Sequence, residues 1–116
     1  MDHPAPRLTS AMLVSALIRR VQVEGGFGTV IQHGDDQAGA ILLECADRGQ
    51  VSQLLERVTD IDGRQHWRPA DANPSADPAA YQERLDRRRN SDPDLWIVEL
   101  DIADAGRFAA ETIGLA

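Results

Sequence analysis

The sequence predicts an α+β fold. One domain is expected, with an N-terminal helix, a mostly antiparallel sheet of four to five strands, a second helix at about 78–89 and a central strand at about 95–100. Three observations lead there. Met12, Leu13, Ala16, Leu17 and Val21 recur at helical spacing. Two hairpin signals, Asp47-Arg48-Gly49 and Asp62-Gly63, bracket residues 50–59. Residues 40–45 and 95–100 are apolar on both strand faces, as interior strands are. A chain of 116 residues suits one domain with one core.

Residues 1–8 hold two prolines and read as a flexible arm ahead of a single domain at 9–116. Thr9 or Ser10 can cap the first helix, Arg19 and Arg20 suit the negative end of its dipole, and Gly25-Gly26 ends it. Residues 27–32 read as a short strand and His33-Gly34-Asp35-Asp36 as a turn. Within 50–59, Val51, Leu54, Leu55 and Val58 lie at i, i+3, i+4 and i+7, a helical pattern. The flanking hairpin signals decide for a strand. Residues 65–68 pair back and stop at Pro69. Asp77 is a natural N-cap and Pro78 a natural first helical residue, so a second helix runs to Arg89, closed by Asn90. Residues 108–113 suit a final helical turn or two. The helices are expected to cover one face of the sheet.

Composition excludes several activities. The net charge is −7, whereas fold-wide contact with nucleic acid needs an excess of cations. All twelve cations are arginine. Without lysine there is neither a Walker A phosphate loop nor a Schiff-base amine. Cys45 is the single cysteine, so no intrachain disulfide forms and nothing indicates an oxidising compartment. The apolar run 11–18 is too short to span a bilayer, and Arg19-Arg20 stands where a signal peptide would need small residues. A cytoplasmic protein without a membrane partner is expected.

Four of the twelve cations, Arg84, Arg87, Arg88 and Arg89, fall within six residues, just ahead of Asp92-Pro93-Asp94. On a helix, Tyr81, Leu85 and Arg88 share one face and Arg84 lies beside it. Arg87 and Arg89 point elsewhere as solvent charges, with Glu83 placed to pair with Arg87. Arg88 continues an apolar face and must reach an acid or carbonyl. Asp92, Asp94, Glu99 and Glu44 are the candidates, and a clamp between the second helix and the 95–100 strand is the main expectation. The alternative is a small-anion or metabolite site, of a binder or an enzyme, built on Arg84, Arg88 and Trp96, with Trp67 and His66 as further contacts. A third reading is weak nucleic-acid contact through residues 84–89.

Asp92-Pro93-Asp94 reads as a turn in which a carboxylate bonds the following amides. A weaker alternative gathers Asp92, Asp94, Glu99 and Asp101 around a divalent cation. Otherwise no metal and no cofactor is indicated: His3, His33 and His66 lack ligand spacing, and Gly25-Gly26-Phe27-Gly28 follows a helix rather than a strand. Cys45 reads as a small buried hydrophobe. No catalytic residue is identified.

Three segments in combination, residues 13–27, residues 34–43 (Gly-Asp-Asp-Gln-Ala-Gly-Ala-Ile-Leu-Leu) and residues 87–99 (Arg-Arg-Arg through Asp-Pro-Asp-Leu-Trp-Ile-Val-Glu), resemble a family of small alphaproteobacterial proteins known only as a domain of unknown function. The resemblance covers most of the chain after the arm. It implies a stand-alone bacterial protein and supports a strand at 50–59, and it supplies no catalytic residue. Function therefore reads as unknown. The leading expectation is a non-enzymatic interaction or accessory module, which meets itself or another protein through an open sheet edge or the region of Trp67 and Trp96. A homodimer is the expected assembly.

Overall fold

A computed structural model describes residues 8–71 and 73–114. The elements follow in the order α1 (Ser10–Val23), β1 (Phe27–Gln32), β2 (Ile41–Asp47), β3 (Gln50–Thr59), β4 (Gln65–Asp71), α2 (Pro78–Ser91), β5 (Trp96–Asp101) and α3 (Ala105–Gly114). This is the expected α+β class. Of the expected arm, only Leu8 falls within the described residues.

All five strands form one sheet in the order β1-β5-β2-β3-β4. Three pairings are antiparallel, while β2 and β5 run parallel. A parallel pair cannot be closed by a hairpin. The chain returns to β5 only after β3, β4 and α2, and β5 then inserts between β1 and β2, which makes it central as its two-faced apolar sequence requires.

The two faces carry different layers. Ile41, Leu43 and Cys45 of β2 join Trp96, Val98 and Leu100 of β5 beneath α1 and α3. Leu42, Leu95 and Ile97 join Leu54 beneath Tyr81 and Leu85 of α2. The expectation that helices cover one face is thus corrected, because strands apolar on both faces need a layer on each side. The β3 sequence is also explained: Leu54 packs on the α2 side and Leu55 on the α1/α3 side. Adjacent leucines serve two cores, and the helical spacing is a coincidence.

Local sequence sets the ends of the elements. The Thr9 hydroxyl accepts the Met12 N–H at 3.2 Å, and Gly25, at φ +90°, turns the chain out of α1. Asp77 caps α2 by accepting the Ala80 N–H at 3.1 Å. Two boundaries differ from expectation. β4 continues through Pro69 to Asp71 because it is an edge strand, where a missing N–H breaks no inner ladder. The final turn or two is a full helix, α3, from which Ala105, Phe108, Ala109, Thr112 and Ile113 are buried at i, i+3, i+4, i+7 and i+8.

Only Tyr81 and Leu85 of α2 are buried. The helix therefore rests on a narrow ridge, and a groove opens along each flank.

Candidate functional site

The first groove, of about 340 Å3, lies between α2 and the β3–β4 side. Leu54 and Ala70 line its apolar part, and Arg84, Arg87 and Arg88 line its polar part. Arg84 donates from Nε to one Asp71 oxygen at 2.7 Å and from Nη2 to the other at 3.1 Å. The Arg84 hydrogen bond is the main cause that holds the Asp71 carboxyl below its ordinary 3.8. Arg88 donates to Glu56 at 3.3 Å, and Arg68 approaches the other Glu56 oxygen at 3.8 Å. Among the described residues no carboxylate lies within 4.0 Å of Arg87, so the expected pairing with Glu83 is not formed.

Arg88 does join helix to sheet, but its partner is Glu56 on β3. It is none of Asp92, Asp94, Glu99 or Glu44, and the connection is not to the central strand. The reason is topological. Because β5 sits beyond β2, the flank of α2 that carries Arg88 overlooks β3 and β4. Arg89 is half-buried rather than a plain solvent charge, and donates from Nε to Gln32 at 3.1 Å.

The remaining candidate residues are dispersed. Trp96 packs in the α1/α3 layer, where its indole N–H donates to the Asp35 carbonyl at 2.8 Å and its ring lies 4.1 Å from that of His33. Trp67 packs against the same layer and donates to the Ala109 carbonyl at 3.0 Å. His66 is exposed on β4 opposite Val58. The sheet therefore separates both tryptophans from Arg84 and Arg88. Among the described residues no three His, Cys, Asp or Glu side chains are placed to hold a metal ion. Asp92 accepts the Asp94 N–H at 3.0 Å, and Asp101 accepts the Arg48 and Gly49 amides at 2.9 and 2.8 Å, fixing the β2–β3 hairpin. Burial pushes the Cys45 thiol up to about 11, which suits a packed side chain rather than a nucleophile.

The second groove, on the opposite flank of α2, is a cleft of about 430 Å3. Glu44 on β2 and Glu99 on β5 are register partners on the same sheet face, and both line it. Glu44 is 5% exposed. Burial, the largest cause, pushes its carboxyl above the ordinary 4.5, and the nearby Glu99 charge adds to the rise while the Tyr81 hydroxyl opposes it. Among the described residues no arginine or histidine nitrogen lies within 4.0 Å of either carboxylate. Tyr81 also lines the cleft and is 5% exposed. Its hydroxyl stands close to Glu44, yet no partner meets it in hydrogen-bonding geometry among the described residues. Burial first, and the Glu44 charge second, push its ionisation well above the ordinary 10.0. Ile31, Val51 and Leu85 supply apolar wall, and Gln82 and Arg89 also line the cleft.

Glu44, Glu99 and Tyr81 were not singled out together by the sequence. A signal for the two acids was present, since each interrupts a strand otherwise apolar on both faces. An acid at such a position is seldom buried without a partner.

The fold is shared with solved structures. A crystal structure of a DUF1491 family protein from Caulobacter crescentus CB15 is 33% identical, covers 88% of this chain and 94% of its own, and superposes with a TM-score of 0.74. An NMR structure of a DUF1491 family protein from the same organism is 33% identical with a TM-score of 0.68, covering 87% and 91%. The solution structure of protein Atu0922 from A. tumefaciens is 31% identical with a TM-score of 0.68, covering 84% and 87%. Comparison with curated proteins gave no match. Residues 8–110 match the family described as protein of unknown function (DUF1491), and with that coverage the chain belongs to the DUF1491 family.

Proposed function

We propose that the protein is a non-enzymatic binding module whose ligand site is the acidic cleft under α2. One observation carries this reading: a buried Tyr81 hydroxyl without a partner faces a buried carboxylate in an accessible cleft. Such groups are costly to leave unsatisfied, and a bound ligand would satisfy them. The volume falls in the range of small-molecule sites, roughly 300–1,000 Å3. The chemistry of the wall favours binding over catalysis. Among the described residues no histidine or cysteine lines the cleft, and the Ser75 hydroxyl that lines it is bonded to Asn73. The arginine groove is the weaker candidate for a ligand, because Arg84 and Arg88 already face protein carboxylates.

Tyr81 is the only tyrosine, so meta-fluorotyrosine gives one fluorine resonance at the site. Titration with small amines, alcohols, carboxylates and inorganic phosphate should yield at least one compound that moves this resonance saturably. A panel that stabilises the protein without moving it would place the ligand elsewhere.

A second reading concerns assembly, and rests on the two sheet edges. Edge strand β4 carries Pro69, Arg68 and Asp71, which discourage pairing. Edge strand β1 has no charged residue and exposes Phe27, Val30 and Ile31. We propose that β1 mediates a homodimer by antiparallel pairing with its copy. A mass of one chain by light scattering at high micromolar concentration would sink this. Cytoplasmic residence is proposed from the single buried Cys45. Among the described residues no helix is long and apolar enough to cross a membrane.

A further inference from the structure

The inference here rests on the reading of the acidic cleft as a ligand site, and names what the cleft takes. We propose that it binds a primary ammonium group carried on a short apolar stem. An ammonium has three donors and no acceptor. The cleft presents three matching groups: the carboxylates of Glu44 and Glu99 and the hydroxyl oxygen of Tyr81. The two glutamates are register partners on parallel neighbouring strands, so their side chains leave the sheet side by side. Like charges so placed call for a cation between them.

Among the described residues the protein does not supply that cation. Arg89, the one arginine lining the cleft, is tethered through Nε to Gln32, and the Gln32 amide is itself fixed by donating to the Leu95 carbonyl at 2.8 Å. No lysine exists in the sequence, so no side chain of this protein, or of a second copy, offers an ammonium. Ile31, Val51 and Leu85 leave apolar surface for a stem of a few methylenes. An anion is disfavoured by both carboxylates, and a purely apolar guest would leave the Tyr81 hydroxyl and Glu44 unpaired.

Affinity is then linked to pH. Glu44 is faced by Tyr81 from α2 and Glu99 from β5, with Arg89 the remaining charged group in the wall, and β3 contributes only Gln50 and Val51. Burial raises the Glu44 carboxyl above its ordinary 4.5, so the carboxylate that faces the ammonium is lost as pH falls and binding weakens with it.

The test uses the full-length meta-fluorotyrosine protein titrated with n-butylammonium, n-butanol, butyrate and inorganic phosphate. n-Butylammonium should move the Tyr81 resonance saturably, and the others should not. Glu44→Gln should weaken n-butylammonium roughly tenfold or more, as loss of a charged hydrogen-bond partner does. The exposed Glu83→Gln, with the same change in net charge, should leave binding unaltered. A terminally blocked lysine peptide, compared with its norleucine analogue, decides the source. Binding tighter than n-butylammonium assigns the group to a lysine side chain, and weaker binding assigns it to a free amine. If n-butanol or butyrate binds as well as n-butylammonium, the ammonium inference is overturned while the cleft remains a ligand site. If Glu83→Gln weakens binding as much as Glu44→Gln, the effect is net charge alone and the inference is likewise overturned. If no probe moves the resonance, the reading of the cleft falls as well.

Discussion

The two flanks of α2 differ in charge and in how far the protein satisfies its own charges. On the β3–β4 flank, Arg84 faces Asp71, and Arg88 and Arg68 share Glu56. On the β5 flank, Glu44 and Glu99 share a face with no arginine nitrogen within 4.0 Å among the described residues, beside a hydroxyl that has no hydrogen-bond partner among them. The flank rich in sequence signal is largely neutralised from within, and the quiet flank is not. A cluster of charges in a sequence counts only what is present. What is available for a ligand depends on what the fold places opposite.

The two flanks should also titrate in opposite directions. Asp71 is held below its ordinary 3.8, so its contribution to stability is full above that value and is lost as pH falls through the folded value. Glu44 is held above its ordinary 4.5, so its penalty is absent below 4.5 and grows as pH rises through the folded value.

The largest effect should come from the ridge between the flanks. Leu85, 3% exposed, lines both grooves. Leu85→Ala should cost about 2–5 kcal/mol in urea denaturation, as truncation of a buried leucine does. A loss below about 1 kcal/mol would mean that α2 is held mainly by its polar contacts. Next is Glu44→Gln, which should stabilise the protein at neutral pH by less than the Leu85 truncation costs, with the gain vanishing below the ordinary 4.5. Destabilisation at neutral pH would show that the carboxylate already has a favourable partner, and the contrast between the flanks would collapse. Glu56→Gln should cost about 0.2–1 kcal/mol, less in high salt, since the Glu56 pairs are partly exposed. Arg87→Ala should change stability by no more than about 0.5 kcal/mol, the surface norm. A larger loss would reveal a role for Arg87 in the basic groove.

Much of the fold was legible because its signals are local. Thr9, Asp77 and the Gly25 turn fixed helix ends, and Asp47-Arg48-Gly49 and Asp62-Gly63 forced strands on an ambiguous β3. The non-local facts were not legible. Nothing in residues 84–89 encodes that Glu56 is closer to Arg88 than Glu99, because that follows from β5 entering the sheet beyond β2. Pro69 reads as a stop from sequence alone because its meaning depends on whether β4 is an edge. The length of α3 was hidden by its alanine-rich, glycine-containing start, whose burial only the sheet below it explains. The acidic pair was half-legible: Glu44 and Glu99 each stood out in an apolar strand, but their adjacency required the parallel register.

The insertion of β5 between β1 and β2 has a consequence for how the chain is made. β1 ends at residue 32, yet its only strand neighbour is residues 96–101. On the ribosome the β2–β3–β4 meander can form early from sequence-local hairpins, whereas β1 waits through some sixty further residues with its apolar side chains unpaired. Sheet closure therefore waits for β5 to be made. A nascent chain stalled before β5 would present open strand edges on β1 and β2 where the finished sheet has an interior, and open edges invite mispairing.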